Sequence, residues 1–245
     1  MHDPFYDLFP PPTPPAWVPG ELALMTIDMQ YMDAHPDGWM GRVARARGKE
    51  HVLEERYAAI SAALPRIRRL QDAFRSAGQE VLHARIAFRT KDGREAGRAY
   101  MPDPHDQPVA REPFDDEILP EVAPLGDELV FSKTSSSVFS TTDVERVLWN
   151  LRIRHLVFSG LVTDGCVELS ARDASDRGFR VTLVEDATCA STREAHVDAI
   201  QRMTDGGFVV ACSTDEAVER LRTLQNGPPP ARDGDEATGE RGVGL

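Results

Sequence analysis

The chain has 245 residues, 41% hydrophobic and 28% charged, and carries 40 Asp and Glu against 28 Lys and Arg for a formal net charge of −12. That length accommodates one large α/β domain with a full core, while the acidic balance argues against a nucleic-acid backbone or an anionic membrane surface as partner. Three cysteines, Cys166, Cys189 and Cys212, without any CxxC pair give neither a disulfide framework nor zinc-ligand spacing, so no cofactor or metal is expected and a reducing, cytoplasmic location is.

Residues 1–20 hold a proline run from Pro10 to Pro15 together with Phe5, Tyr6, Phe9 and Trp17. An extended arm lying on the body or on a neighbouring subunit is predicted there. It has neither the positive flank nor the apolar stretch of a secretion signal, and no run in the chain approaches the length of a membrane span. From residue 21 to 225 apolar strand-like runs alternate with helical periodicity. Leu22–Ile27 reads as a strand ending at Asp28, and 53–77 as a helix with Ile60, Leu64, Ile67, Leu70 and Phe74 at spacings of three and four. Gly78 stops it. Strands are predicted at 80–88, 128–132 and 155–159, the last closing in a Ser-Gly turn, and a helix at 144–151. A further helix is predicted from about Cys166 to Arg177, then a strand at 180–184, a helix at 193–204, a strand at 208–211 and a helix at 214–224. Residues 226–245 lack large apolar groups and read as a disordered tail.

This alternation implies an α/β fold of three layers, with a mostly parallel six-stranded sheet covered by helices on both faces. Sites in such sheets form beyond the carboxyl ends of the strands, and three polar residues sit at predicted strand ends: Asp28, Lys133 and Cys166. At a helix start, free backbone N–H groups and the helix dipole favour negative charge, which raises the reactive thiolate fraction of a cysteine. The same N–H groups can hold an oxyanion. Each residue also has a plainer reading: a buried small hydrophobe for Cys166, a turn or cap for Asp28, a solvated lysine for Lys133. Their joint placement favours chemistry.

The stretches TIDMQ around Asp28, FSKTSSSVFSTTD around Lys133 and GLVTDGCVELSARDASDRGFRVTLVEDA around Cys166 resemble the three signatures of the isochorismatase-like cysteine hydrolase superfamily. The resemblance covers about residues 20–224. It implies an Asp-Lys-Cys triad carried by Asp28, Lys133 and Cys166, and a non-proline cis peptide at Leu161–Val162. It also implies an oxyanion hole from the backbone N–H groups of Val162 and Cys166. The Asp-x-His metal motif of nicotinamidases is missing from LHARIAFRTKDGREAGRAY, so no metal is implied. The presence of a thiol points to the branch that cleaves small carboxamides, N-carbamoyl and ureido compounds through a thioester. Two other readings stay open: vinyl-ether hydrolysis with Asp28 as the acid, and a reactive-thiol or binding protein without turnover.

Among flanking residues, Arg85 is a candidate to pair with a substrate carboxylate or to form a salt bridge within the fold. Tyr31, Trp39 and Phe139 are candidate pocket walls or ordinary core. His83 reads as a packed core histidine, and Cys189 and Cys212 as structural. The expected partners are a small-molecule substrate and further copies of the chain in a homodimer or homotetramer.

Overall fold

The computed structural model describes residues 5, 8, 14–96 and 108–226. The tail expected over 226–245 thus lies outside the described residues from 227 onward, as does most of the expected arm. The described end of that arm lies on the body: Trp17 is buried, its ring 6.2 Å from Phe74 and 5.9 Å from His155.

Six strands form one sheet: β1 (Leu22–Ile27), β2 (Glu80–Ile86), β3 (Val130–Lys133), β4 (His155–Leu161), β5 (Arg180–Cys189) and β6 (Val210–Cys212). All neighbours pair in parallel, in the order β3-β2-β1-β4-β5-β6. Every residue of β1 and β4 is buried, which is why these strands read as continuous apolar runs rather than alternating ones. One core lies under Ala23, Met25, Ile27, Leu82, Ala84, Ile86 and Phe158. The helices α5 (Val144–Asn150), α6 (Glu168–Asp176) and α7 (Arg193–Asp205) cover it with Leu148, Ala171, Ala174, Ala199 and Met203. On the opposite face α3 (Glu54–Ser76) and α8 (Thr214–Asn226) pack Ile60, Ile67, Leu70, Phe74 and Leu221 against Leu22, Leu24, Val81 and Val157. Each large side chain so buried contributes on the order of 1.5–3 kcal/mol. The remaining helices are short: α1 (Tyr31–Ala34), α2 (Trp39–Ala46) and α4 (Val138–Thr141).

Four sequence expectations need correction, and three of them bear on the site. The Ser-Gly pair is not a turn: β4 runs on through Ser159 and Gly160 to Leu161. Gly160 stays in the strand at φ +105 because a Cβ there would lie 2.1 Å from the Ile27 carbonyl oxygen, a backbone approach that only glycine allows. The helix expected from Cys166 is preceded by a π-turn, Thr163–Val167, so Cys166 sits inside the turn and α6 starts two residues later. β3 ends on Lys133 itself. Finally, β5 extends five residues beyond the expected Val184, to Cys189, pairing Thr188 and Cys189 with Gly160 and Leu161 across a register irregularity.

Candidate active site

Strand order reverses between β1 and β4, and the crevice outside such a switch point is where open α/β sheets bind ligands. Asp28 follows β1 there, and Cys166 follows β4. Asp28 is fully buried with φ +50, in the left-handed region that Asp tolerates better than most residues. Its N–H donates to the Ala84 carbonyl at 2.9 Å, and its own carbonyl accepts from Gln30 N–H at 2.8 Å. This bend turns the carboxylate out of the strand line and over the sheet edge.

Lys133 reaches in from β3. Side chains alternate across a sheet, and Lys133 shares a face with Phe131, in the core that also holds Ile86 and Cys166. Its Nζ donates to Asp28 Oδ2 at 2.8 Å, to the Ser135 carbonyl at 3.0 Å and to Cys166 Sγ at 3.4 Å. Those three contacts use all three ammonium donors. Asp28 and Lys133 are both 0% exposed, and Cys166 is 4% exposed. Burial raises the Asp28 pKa above its ordinary value, against the opposing pull of Lys133 and then of Cys166. Burial works against the Lys133 charge as well, but Asp28 and Cys166 more than offset it, and its pKa is raised. Asp28 Oδ1 is buried without a hydrogen-bond partner of normal geometry. One carboxylate oxygen is therefore tied to a permanent cation while the other is open to a proton.

The peptide between Leu161 and Val162 is cis. Beyond it the Val162 carbonyl accepts from Gly165 N–H at 3.0 Å and Val167 N–H at 3.2 Å, which winds the π-turn around the thiol. Gly165 fits because a Cβ there would stand 2.8 Å from Val162 Cγ2.

The other named residues are held by contacts of their own. Arg85 alternates onto the α3 face with Val81, away from Lys133; its Nε donates to Ser132 Oγ at 3.2 Å and its Nη1 to the Asp116 carbonyl at 3.0 Å. These are hydrogen bonds within the fold, to a hydroxyl and a backbone carbonyl rather than to a carboxylate. Phe139 is 7% exposed, 6.1 Å from the Phe179 ring and under the Arg177 guanidinium. Tyr31 is half-buried with its ring edge-on to Phe114 at 5.7 Å. Trp39 packs on the core that contains Cys166, and its Nε1 donates to the Val109 carbonyl at 3.0 Å. With Phe88 and Arg111 it lines a cavity of about 680 Å³ beyond β2, and Asp28, Lys133 and Cys166 are not among the described residues lining it. His83 is buried against Glu128. Burial pushes the Cys189 thiol up to about 12 and the Cys212 thiol up to about 11, which leaves both inert near neutrality.

Gln30, the last residue of TIDMQ, is a structural residue that strand-end placement does not single out. Its Oε1 accepts from Ile86 N–H at 2.6 Å, and its Nε2 donates to the carbonyls of Ile86 and Asp115 at 2.8 and 3.0 Å. The fully buried amide thus splices the end of β1 to β2 and to the 3-10 turn Pro113–Asp116. Its signal in the sequence is a second polar residue, two positions beyond Asp28, after an apolar strand. Among the described residues no three His, Cys, Asp or Glu side chains gather as metal ligands, and no helix is long and apolar enough to cross a membrane.

A parallel sheet with a buried carboxylate, ammonium and thiol gathered at its carboxyl edge defines an α/β protein with a polar site at the switch point. The isochorismatase domain profile matches residues 23–216, and the chain belongs to the isochorismatase family. Among relatives, the chain is 29% identical over 196 residues to the ureidoacrylate amidohydrolase RutB of Rhizobium rhizogenes, spanning 72% of this chain and 74% of that protein. It is also 29% identical over 202 residues to the protein of the same name from Caulobacter vibrioides, spanning 75% and 82%. Its fold matches that of a cysteine hydrolase from Pseudomonas syringae pv. phaseolicola, with a TM-score of 0.73 at 23% identity over 88% of this chain and 99% of the other. It also matches N-carbamoylsarcosine amidase from Thermoplasma acidophilum, with a TM-score of 0.60 at 23% identity over 80% and 97%.

Proposed function

We propose that the chain is a cysteine-dependent amidohydrolase that cleaves a non-peptide C–N bond in a small ureido, N-carbamoyl or carboxamide compound, by way of a thioester on Cys166. The observation that carries the reading is Lys133 Nζ placed 2.8 Å from Asp28 Oδ2 and 3.4 Å from Cys166 Sγ, with Asp28 Oδ1 unpartnered beside them. The ureidoacrylate amidohydrolase relatives supply the substrate class.

The steps follow from these positions. Asp28 accepts the thiol proton on its open oxygen as Cys166 Sγ attacks the substrate carbonyl carbon. Lys133 keeps Asp28 oriented and offers positive charge to the thiolate. The oxyanion rests on the backbone N–H groups of Val162 and Cys166. When the tetrahedral intermediate collapses, Asp28 returns its proton to the departing nitrogen and ammonia or an amine leaves. Asp28 then takes a proton from water, the hydroxide attacks the thioester, and the thiol is regenerated as the acid product departs. A carboxylate with a raised pKa suits both proton transfers, because it holds the proton between steps and still gives it up.

The test is ammonia release from ureidoacrylate, N-carbamoyl amino acids and simple carboxamides, with Cys166→Ala as the blank. Release that vanishes in the folded variant is expected. Turnover retained by Cys166→Ala would overturn the thioester, and silence across the panel with hydrolysis of isochorismate would replace the reading with ether cleavage.

A further inference from the structure

The π-turn that presents Cys166 is held from outside by one side chain. Thr163, its first residue, is fully buried, and a buried hydroxyl needs a partner. That partner is His196 of α7: Thr163 Oγ1 and His196 Nδ1 share a hydrogen bond of 2.8 Å. Burial lowers the His196 pKa, and Arg193 lowers it further against the opposing Asp164, so the ring is neutral at pH 7 and has one acceptor nitrogen.

The helix bearing His196 is itself pinned. Thr192 Oγ1 caps it by accepting from Ala195 N–H at 3.2 Å, His196 N–H donates to the Thr192 carbonyl at 3.1 Å, and Arg193 N–H donates to Glu55 of α3 at 2.6 Å. A strut of hydrogen bonds therefore runs from α3 through the first turn of α7 to Thr163. Thr163 stands between Val162 and Cys166, the two residues whose N–H groups form the oxyanion hole in the proposed mechanism. Without that bond the Thr163 side chain no longer anchors the backbone between them, and the peptide units on either side of it are free to reorient.

We infer that His196 is a positioning residue: through Thr163 it fixes the nucleophile turn so that the Val162 and Cys166 N–H groups and the thiol converge on one reacting carbonyl. The inference rests on the amidohydrolase reading for its kinetic consequence. The geometric consequence, a displaced Cys166, stands without it.

The experiment is a double-mutant cycle on Thr163→Val and His196→Ala, with His196→Asn as the rescue and thermal melts as the control for folding. A misplaced oxyanion donor acts in the transition state rather than in binding. Each single variant is expected to lose roughly 10-fold or more in kcat, with KM little changed. The double variant should lose no more than the worse single, because both remove one bond. Asn places an amide where Nδ1 sits, pairs with the hydroxyl in either direction and should recover most of the loss. In parallel, iodoacetamide alkylation of Cys166, followed on the Cys166 peptide, should slow several-fold in His196→Ala and recover in His196→Asn. Losses that multiply in the double variant would overturn the inference, as would an Asn variant as slow as Ala at equal melting temperature. Should the wild-type protein turn over no amide, the function reading fails and the alkylation rates decide alone: an unchanged Cys166 rate in His196→Ala refutes the strut. If His196→Ala does not fold, Thr163→Val against Thr163→Ser carries the same comparison.

Discussion

Replacing Lys133 by Met keeps most of the side-chain volume and removes one ammonium that makes three hydrogen bonds at full burial. Asp28, also 0% exposed, is then left without its counter-charge. Breaking a buried ion pair from one side costs about 3–5 kcal/mol. The remaining carboxylate has an exit, because it can take up a proton. Taking it up at pH 7 costs about 1.36 kcal/mol per unit above the ordinary value of 3.8, or about 4 kcal/mol in total. Protonation therefore caps the penalty of the orphaned carboxylate, and the loss at pH 7 should be about 3–4 kcal/mol. Its pH dependence has a definite sign. Burial already raises the Asp28 pKa in the wild type, and losing Lys133 raises it further, so the loss is smaller at a pH where both folded proteins hold the Asp28 proton and grows as pH rises to where only the variant holds it. Urea unfolding of wild type and Lys133→Met at pH 7.5 and pH 5 reads this directly, with a narrower gap between the two proteins at the lower pH. A loss below about 1 kcal/mol, equal at both pH values, would refute the view of a tightly coupled buried pair.

Other outcomes follow from the same geometry. Asp28 must be ionised to accept the thiol proton and burial raises its pKa, so the acid limb of kcat/KM should fall off above pH 3.8; activity flat down to pH 4 would contradict it. Gly160→Ala meets the Ile27 carbonyl at 2.1 Å in a left-handed backbone, and chemical denaturation should show a loss of at least about 3 kcal/mol; a near-neutral substitution would place the strand contact in error. The expected homodimer or homotetramer is open to light scattering, where a monomer at micromolar concentration would remove it.

Local pattern was enough to read the order of the strands and of α3, α5, α6, α7 and α8, though not the short α1, α2 and α4, because an apolar run and a 3.6-residue stripe are properties of neighbouring residues. The rule that sites lie past strand ends then singled out Asp28, Lys133 and Cys166 from a single chain. What the pattern could not carry was direction and reach. Arg85 and Lys133 both stand near strand ends, yet pleat alternation puts them on opposite faces, and only the paired register shows which face holds the thiol. Gly160 looked like a turn because glycine often makes one; it is in the strand because β1 passes too close for a Cβ, a constraint imposed by a segment more than a hundred residues away. The π-turn around Cys166 hides inside helical periodicity, since one extra residue per turn barely alters the apolar spacing. Thr163 and His196 carry no joint mark in the sequence, being 33 residues apart, and meet only when α7 docks against the π-turn. Sequence by itself determined which residue types end the strands, since that is local chemistry. The tertiary fold decided which of them touch, because contact depends on sheet order, strand register and the side from which each helix returns.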